Sequence, residues 1–425
     1  MIDINLIRED AKAIEAKLLK KGHTVDFTEL LEWDKTRREL LQNVESKKAE
    51  KNKVSAEIPA LKKAGQDVAP VLAEMKKLGN EIDELDKKVA EVEEKMNYFL
   101  LSLPNVPDDD LLAGGKEANA TVRVFGEKPN FDFTPKSHIE LCEDLGLIDY
   151  ERGAKLAGNG SWVYRGMGAR LEWALLNFFI DEHCADGYEF MLLPHMLNYD
   201  CGLGAGQFPK FEDEVYWIDA KSKENKFLLP TAETALVNLY KGEVLTEADL
   251  PKKFAGFTPC YRREAGSYRS EERGMIRGHQ FHKVEMVQYT TKEGSDAAFE
   301  ELVAKAERLV QKLGLHYQLA KLAAGDCSAS MCRTYDIEVW IPSMGIYKEV
   351  SSVSNARDYQ ARRNNTRYRS ETTKKLEYVH TLNGSGLATT RIFPALLEQY
   401  QNADGSITVP EVLRKYMGGL EKITK

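Results

Sequence analysis

Between Arg37 and Phe99 the chain carries two runs in which one face recurs every three or four residues, and few folds accept such a pattern. The first run is Arg37, Leu40, Val44, Lys47, Lys51, Val54, Ile58 and Leu61. The second is Val68, Val71, Met75, Leu78, Ile82, Leu85, Val89, Val92, Met96 and Phe99. A mean step of about 3.5 residues puts each run on a single helical stripe and favours a left-handed supercoil. Between them lies AGQDVAP, where Gly65 stops the first helix, Asp67 caps the second and Pro70 sits in its first turn. Helices joined by so short a turn lie antiparallel. At ~1.5 Å per residue each is expected to span roughly 45 Å. Pro59 falls inside the first stripe, so that helix is expected to fray or end near it.

Basic residues occupy three positions of the first stripe, and their long stems can snorkel out of the seam. Near the hairpin tip Lys47, Lys48, Lys51, Lys53, Lys62 and Lys63 outnumber Glu50 and Glu57. Charge alone fits a solvated coiled-coil face better than a surface for RNA backbone, and both readings stay open on this ground. Two prolines, an acidic run and a glycine pair in SLPNVPDDDLLAGG, Ser102 to Gly115, read as a hinge. The expected organisation is a helical N-terminal domain over 1–101, a linker over 102–134 and a second domain over 135–425, since 425 residues exceed what one core organises.

A formal net charge of -8 argues against a protein coated in basic surface for duplex DNA, while leaving room for RNA binding by one local patch. Neither a secretory signal nor a run of roughly 20 apolar residues is visible, so the expected location is the cytoplasm. Six cysteines are too sparse for a disulfide framework and read as reduced core thiols.

Beyond residue 135, helical and alternating patterns mix without a regular strand–helix repeat, which predicts an antiparallel sheet flanked by helices. No GxxxxGK[ST] is present, and Gln207 stands where GxGxxG needs its third glycine. ATP chemistry here would need another device. One offers itself in two β-like segments, Phe257 to Glu264 and Arg277 to Tyr289, flanking a polar loop. Residues two apart on a strand share a face, so Arg262 is expected beside Glu264, and Arg277, Phe281 and Glu285 together on the second strand. Guanidinium groups there suit carboxylate and phosphate, and an aromatic face suits a base.

This block resembles motif 2 of class II aminoacyl-tRNA synthetases, and its wording is similar to that of bacterial seryl-tRNA synthetases. Gly168 to Pro194 is similar to motif 1, a helix then a strand ending in proline at a dimer interface. NGSGLATTRIF, from Asn383, is similar to motif 3, and the N-terminal hairpin is similar to the family's tRNA-binding arm. The resemblance implies an α+β catalytic domain that activates serine with ATP and transfers it to tRNA(Ser), and to tRNA(Sec) where one exists. It implies a homodimer whose arm grips the long variable arm of tRNA by shape and backbone. For ATP it implies Arg262, Arg263, Glu264, Arg277, Gly278, Phe281, Arg391 and the run Glu349, Val350, Ser351 and Ser352. Among these, Arg262 bridges the substrate carboxylate and the α-phosphate, Glu264 takes the adenine amino group, Phe281 stacks on the base and Arg277 holds the triphosphate. Arg391 stacks on the opposite face of the adenine or holds the γ-phosphate. For serine it implies Thr231 and Glu233 at the ammonium, Glu285, Asn383 and Ser385 at the hydroxyl, and Arg262 at the carboxylate.

Glu349 and Ser352 match the family's metal-ligand positions, and hard oxygen ligands suit Mg²⁺. Three residues apart they would face opposite sides of a regular strand, so either the strand bulges there or Ser352 binds through its backbone or a water. Arg263, Ala205, Phe208, Thr389, Thr390 and Pro394 depart from the commonest family pattern, and Pro394 is expected to kink its helix. They leave open an accessory copy with altered inhibitor tolerance. Two rival readings are a ligase that loads a carrier protein and a coiled-coil adaptor with a dead catalytic body. The hairpin argues against the first, and the intact Arg262, Glu264, Glu285, Glu349 and Arg391 set against the second.

Overall fold

The computed structural model describes residues 1–264 and 274–425, so most of the polar loop between the two motif 2 segments lies outside the described residues. The described chain forms two compact units. One comprises Asp3–Ala16 and Thr24–Leu103; the other comprises Met1–Ile2, Lys17–His23 and Pro104–Lys425.

In the first unit, α1 (Thr28–Lys63) and α2 (Ala69–Ser102) run antiparallel as a hairpin arm. Their 36 and 34 residues span about 54 and 51 Å at 1.5 Å per residue, longer than the stripes alone foretold. The stripe is real: every residue of both runs is buried or half-buried, and Val44, Leu78, Ile82, Val89 and Met96 are its fully buried members. Gly65 takes a φ of 68°, which ends α1, and Asp67 accepts from the Ala69 N–H at 2.9 Å. Pro59 does not end α1, which continues to Lys63. That proline is exposed while Ile58 and Leu61 keep the seam, so the carbonyl its missing N–H leaves unpaired faces water. The basic stripe residues do more than snorkel. Arg37 pairs with Glu93 at 2.8 Å and Lys47 with Glu81, each across the hairpin.

In the second unit, eight strands form one sheet among the described residues. In chain order they are β1 (Ala120–Phe125), β2 (Glu189–Leu192), β3 (Lys252–Tyr261), β4 (Gln280–Thr290), β5 (Tyr317–Lys321), β6 (Arg333–Ile341), β7 (Ile346–Arg357) and β8 (His380–Ala388). The spatial order is β1-β5-β6-β7-β8-β4-β3-β2, and every pairing is antiparallel except the edge pair of β3 with β2. Strand β1 falls inside the stretch expected to be linker. All six of its residues are exposed, so no buried alternation marks it in the sequence.

Three helices cover one face of the sheet: α3 (Gly166–Ala185), α4 (Ser295–Lys312) and α5 (Thr389–Gln399). Leu171, Leu175 and Phe179 of α3, Leu302 and Leu309 of α4, and Leu396 of α5 pack with Val284 and Met286 of β4, Leu382 of β8 and Val353 of β7. Pro394 lies within α5 without ending it. All six cysteines are free thiols, four of them buried.

Candidate functional site

With Val284 and Met286 turned into the core, the period of two turns Phe281, Lys283 and Glu285 to the other face of the sheet. There a cavity of about 460 Å³ opens, walled by residues from Gly206 to Arg391. Antiparallel register sets its floor. Glu285 of β4 lies opposite Ser385 of β8, and Asn383 of β8 lies opposite Ser354 of β7.

At one end a dense polar cluster forms. The Asn383 amide donates to Glu285 at 3.0 Å and to Glu233 at 3.2 Å. Lys283 donates to Thr231 Oγ1 at 2.8 Å and forms an ion pair with Glu285. Gln360 donates to Glu233 at 2.8 Å and is itself held by Thr381. Burial pushes the Glu233 carboxyl up to about 7, and the neighbouring Glu285 charge adds to this. Two carboxylates face one lysine here, an arrangement suited to a further cation. The Oδ1 of Asn383 is buried with no protein partner among the described residues, leaving an acceptor for a substrate donor.

At the other end guanidinium groups dominate. Arg262 lies 5.1 Å over the Phe281 ring and donates to the Pro230 carbonyl at 3.3 Å. Arg277 pairs with Glu264. Arg391, in the first turn of α5, donates to the Glu349 carboxylate at 3.0 Å and to the Glu349 carbonyl at 2.7 Å. Burial pushes the Glu349 carboxyl up, but the charges of Arg391 and Arg262 outweigh it and hold the group below its usual range. A neutral histidine braces the end of β8 before Arg391. Burial takes His183 of α3 down to about 4, and its Nε2 donates to the Gly386 carbonyl at 2.7 Å. A Cβ at Gly386 would lie 2.1 Å from that ring, so only glycine allows the approach.

The strand reading of motif 2 held for Phe281 and Glu285 but not for the arginines. Strand β3 ends at Tyr261 and β4 begins at Gln280, so Arg262, Arg263, Glu264, Arg277 and Gly278 are loop residues. Glu264 adopts a φ of 50°, which ends the extended run. Arg262, Glu264, Arg277 and Gly278 nonetheless line the cavity. Arg263 is exposed, outside it, and ties its N–H to the Glu214 carbonyl at 2.9 Å.

The difficulty over Glu349 and Ser352 is resolved by a bulge. Ser351 pairs with Ile337 and Glu349 with Glu338, leaving Val350 without a counterpart. The extra residue turns Glu349 and Ser352 to the same cavity. Val350 and Ser351 do not line it: Val350 is in the core, and the Ser351 hydroxyl donates to the Ser385 carbonyl at 2.6 Å. Ser352 donates to Asp336 at 2.6 Å. Glu349 and Ser352 thus both bring hard oxygen atoms to the cavity, a donor type that would suit Mg²⁺. Among the described residues no group of three or more His, Cys, Asp or Glu is arranged to hold a metal by itself.

Thr231, Glu233, Asn383 and Ser385 all reach the cavity. The sequence reading missed Lys283, although the alternation of β4 placed it between Phe281 and Glu285. It also missed Gln360, brought in by the short helix Tyr359–Asn364, for which no local signal exists. Of the tip lysines, Lys47 and Lys48 pair with Glu81 and Asp86 across the arm, while Lys53, Lys62 and Lys63 are exposed.

Comparison with known proteins matches both units. Residues 1–107 match the seryl-tRNA synthetase N-terminal domain, and residues 216–400 match the tRNA synthetase class II core domain (G, H, P, S and T). A serine--tRNA ligase 2 from Clostridium acetobutylicum is 60% identical over 98% of this chain and 99% of its own length. The chain belongs to the seryl-tRNA synthetase family. A serine--tRNA ligase of Geotalea uraniireducens is 46% identical with both chains fully covered. Among solved structures, seryl-tRNA synthetase from Pyrococcus horikoshii complexed with ATP superposes with a TM-score of 0.90. It is 33% identical, over 100% of this chain and 99% of that one. The cytoplasmic serine-tRNA ligase of Naegleria fowleri in complex with AMP gives 0.86 at 26% identity, over 100% of this chain and 99% of that one. Family membership makes the chain a class II aminoacyl-tRNA ligase.

Proposed function

We propose that the chain activates L-serine with ATP to seryl-adenylate and pyrophosphate, then moves the seryl group to the 3′ end of tRNA(Ser), and of tRNA(Sec) where the host has one. The observation that carries this reading is the shared cavity, with Glu233, Glu285, Thr231 and Asn383 at one end and Arg262, Arg277 and Arg391 at the other. An ammonium and a small hydroxyl fit the first end; a carboxylate and a polyphosphate fit the second.

In this assignment Thr231 and Glu233 take the substrate ammonium, while Glu285, Asn383 and Ser385 hold the hydroxyl. Buried partners left unpaired would reject alanine. Arg262 clamps the serine carboxylate against the α-phosphate, where the attacking oxygen and the phosphorus must meet. Glu264 and the backbone at Gly278 take the adenine edge, Phe281 its face, and Arg277 and Arg391 the phosphates. Lys283, already bonded to Thr231 and Glu285, offsets the charge of the carboxylate cluster. Glu349 and Ser352 would hold Mg²⁺, which would supply charge neutralisation for the polyphosphate. No side chain acts as nucleophile; positioning and electrostatics suffice.

Lys51, Lys53, Lys62 and Lys63, with Lys47 and Lys48, give the arm its basic surface for the tRNA variable arm. A homodimer through the motif 1 face is supported by Trp173, Leu192 and Met196, large apolar side chains exposed by 56, 76 and 55%. Among the described residues no helix is long and apolar enough to cross a membrane, and the assigned location is the cytoplasm. The deciding experiment is ATP–pyrophosphate exchange with serine beside threonine and alanine, followed by charging of tRNA. Exchange driven by serine alone supports the reading. Exchange without charging points to another acceptor, and no exchange overturns it.

A further inference from the structure

One wall of the cavity is the loop Cys327–Cys332 between β5 and β6, from which Ser328, Ser330 and Met331 face inward. Four consecutive carbonyls of this loop each accept at least one bond from two residues far away in sequence. The Lys21 amine donates to Ser328 O at 3.0 Å, Ala329 O at 3.3 Å and Met331 O at 2.6 Å. Asn105 donates its backbone N–H to Ala329 O at 2.7 Å and its amide to Ser330 O at 2.9 Å. An ammonium has three protons, and all three are used here. The loop has no slack on its other side: a Cβ on Gly206, in the facing wall, would lie 2.8 Å from Ser330 Cβ. Beside Gly206, Gln207 accepts from Thr234, the neighbour of Glu233, at 3.0 Å.

We propose that Lys21 is a positioning residue for serine recognition, fixing the Ser328–Met331 wall against the Gly206–Gln207 side of the pocket without touching substrate. The inference rests on the serine-activating reading of the site. Removing the amine leaves the Met331 carbonyl without a donor among the described residues. It also takes one of two bonds from Ser328 O, which keeps the Met331 N–H, and from Ala329 O, which keeps the Asn105 N–H. The wall relaxes away from the amino-acid end. A misplacement of about 1 Å at a positioning group is felt in binding and rate.

Burial also pushes the Lys21 amine down to about 8, with the thiols of Cys327 and Cys332 acting to raise it and the Lys210 charge acting with burial. Above that pH the amine keeps only two protons for three acceptors, so the clamp loosens as pH rises.

The test is serine-dependent ATP–pyrophosphate exchange by the full chain and by K21M and K21R. Expected for K21M is about a tenfold rise in KM for serine, with KM for ATP within twofold and kcat within threefold. K21R, which keeps the charge and several donors, restores KM for serine to within about threefold. A generic loss of structure would instead raise both KM values and lower kcat together, and that outcome overturns the proposal, as does a KM for serine that K21M leaves within twofold. Should K21M not fold, the pH dependence of the unmodified protein decides. KM for serine then rises above pH ~8 more steeply than in K21R, whose cation does not titrate, while any rise common to both belongs to the amine of serine itself. Equal profiles overturn the proposal. Absence of exchange in the unmodified protein would instead defeat the serine-activating reading, so the two failures are distinguishable.

Discussion

The arm and the cavity solve opposite problems with the same chain. In the arm, the apolar contacts of the seam join two helices whose order and register follow from one repeating stripe, and the ion pairs that cross it, such as Arg37 with Glu93, are partly exposed. In the cavity, no two neighbours in sequence do the same work: Glu233, Lys283, Gln360 and Asn383 meet from a short helix, a strand, another short helix and another strand. A repetitive surface tolerates single losses because its neighbours carry the rest. A convergent one does not, since removing one member leaves buried polar partners unpaired.

The sharpest break between the two comes from deleting the arm. Trp33 and Phe99 pack edge to face at 6.1 Å, so the two helix roots are close enough for a short linker to replace residues 30–98. Such a variant should lose tRNA charging entirely while retaining serine-dependent exchange within about fivefold; loss of exchange in a folded variant would erase the distinction. Next in size, Arg262→Ala should lower kcat/KM in exchange by roughly 10³-fold, since it removes a charge clamp on the reacting groups. A drop below tenfold would remove Arg262 from the chemistry.

A smaller effect is set by pH. Because Glu233 titrates at about 7, its carboxylate is lost as pH falls through that value, and with it a partner for the substrate ammonium. KM for serine should therefore rise about tenfold between pH 7.5 and pH 6, and Glu233→Gln should flatten the profile. In the arm, Val44→Ala truncates a buried seam residue and should cost about 2 kcal/mol by denaturant unfolding of the arm. Smallest of all, a double-mutant cycle on Arg37 and Glu93 should return a coupling below about 1 kcal/mol, as both are about a third exposed or more. A larger coupling would make the arm as interdependent as the cavity.

How much of this was legible in advance differs residue by residue. Every stripe position proved buried or half-buried, because helix period and burial are the same signal, but Leu30, Asp34 and Leu100 are buried at the arm's root outside the two runs. Phe281 and Glu285 were placed on one face by the period of two. Arg262 and Arg277 were expected on strands, yet they reach the cavity from loops, since the extended run stops at Tyr261 and resumes only at Gln280. Bringing Glu349 and Ser352 to one cavity needed a bulge at Val350, and nothing in EVSS distinguishes a bulged strand from a regular one. Lys21 gave no signal at all, because its partners are backbone carbonyls, which every sequence has.

Local pattern by itself determined the hairpin, the antiparallel class of the sheet and the residue types that an ATP-dependent amino-acid ligase requires, because periodicity and side-chain chemistry are properties of short segments. The tertiary structure alone decided which side of β7 Glu349 faces, which lysine sits between Thr231 and Glu285, and what holds the Ser328–Met331 wall. Those outcomes depend on register between strands distant in sequence and on the burial that this register creates. Neither quantity is written in any single stretch of the chain.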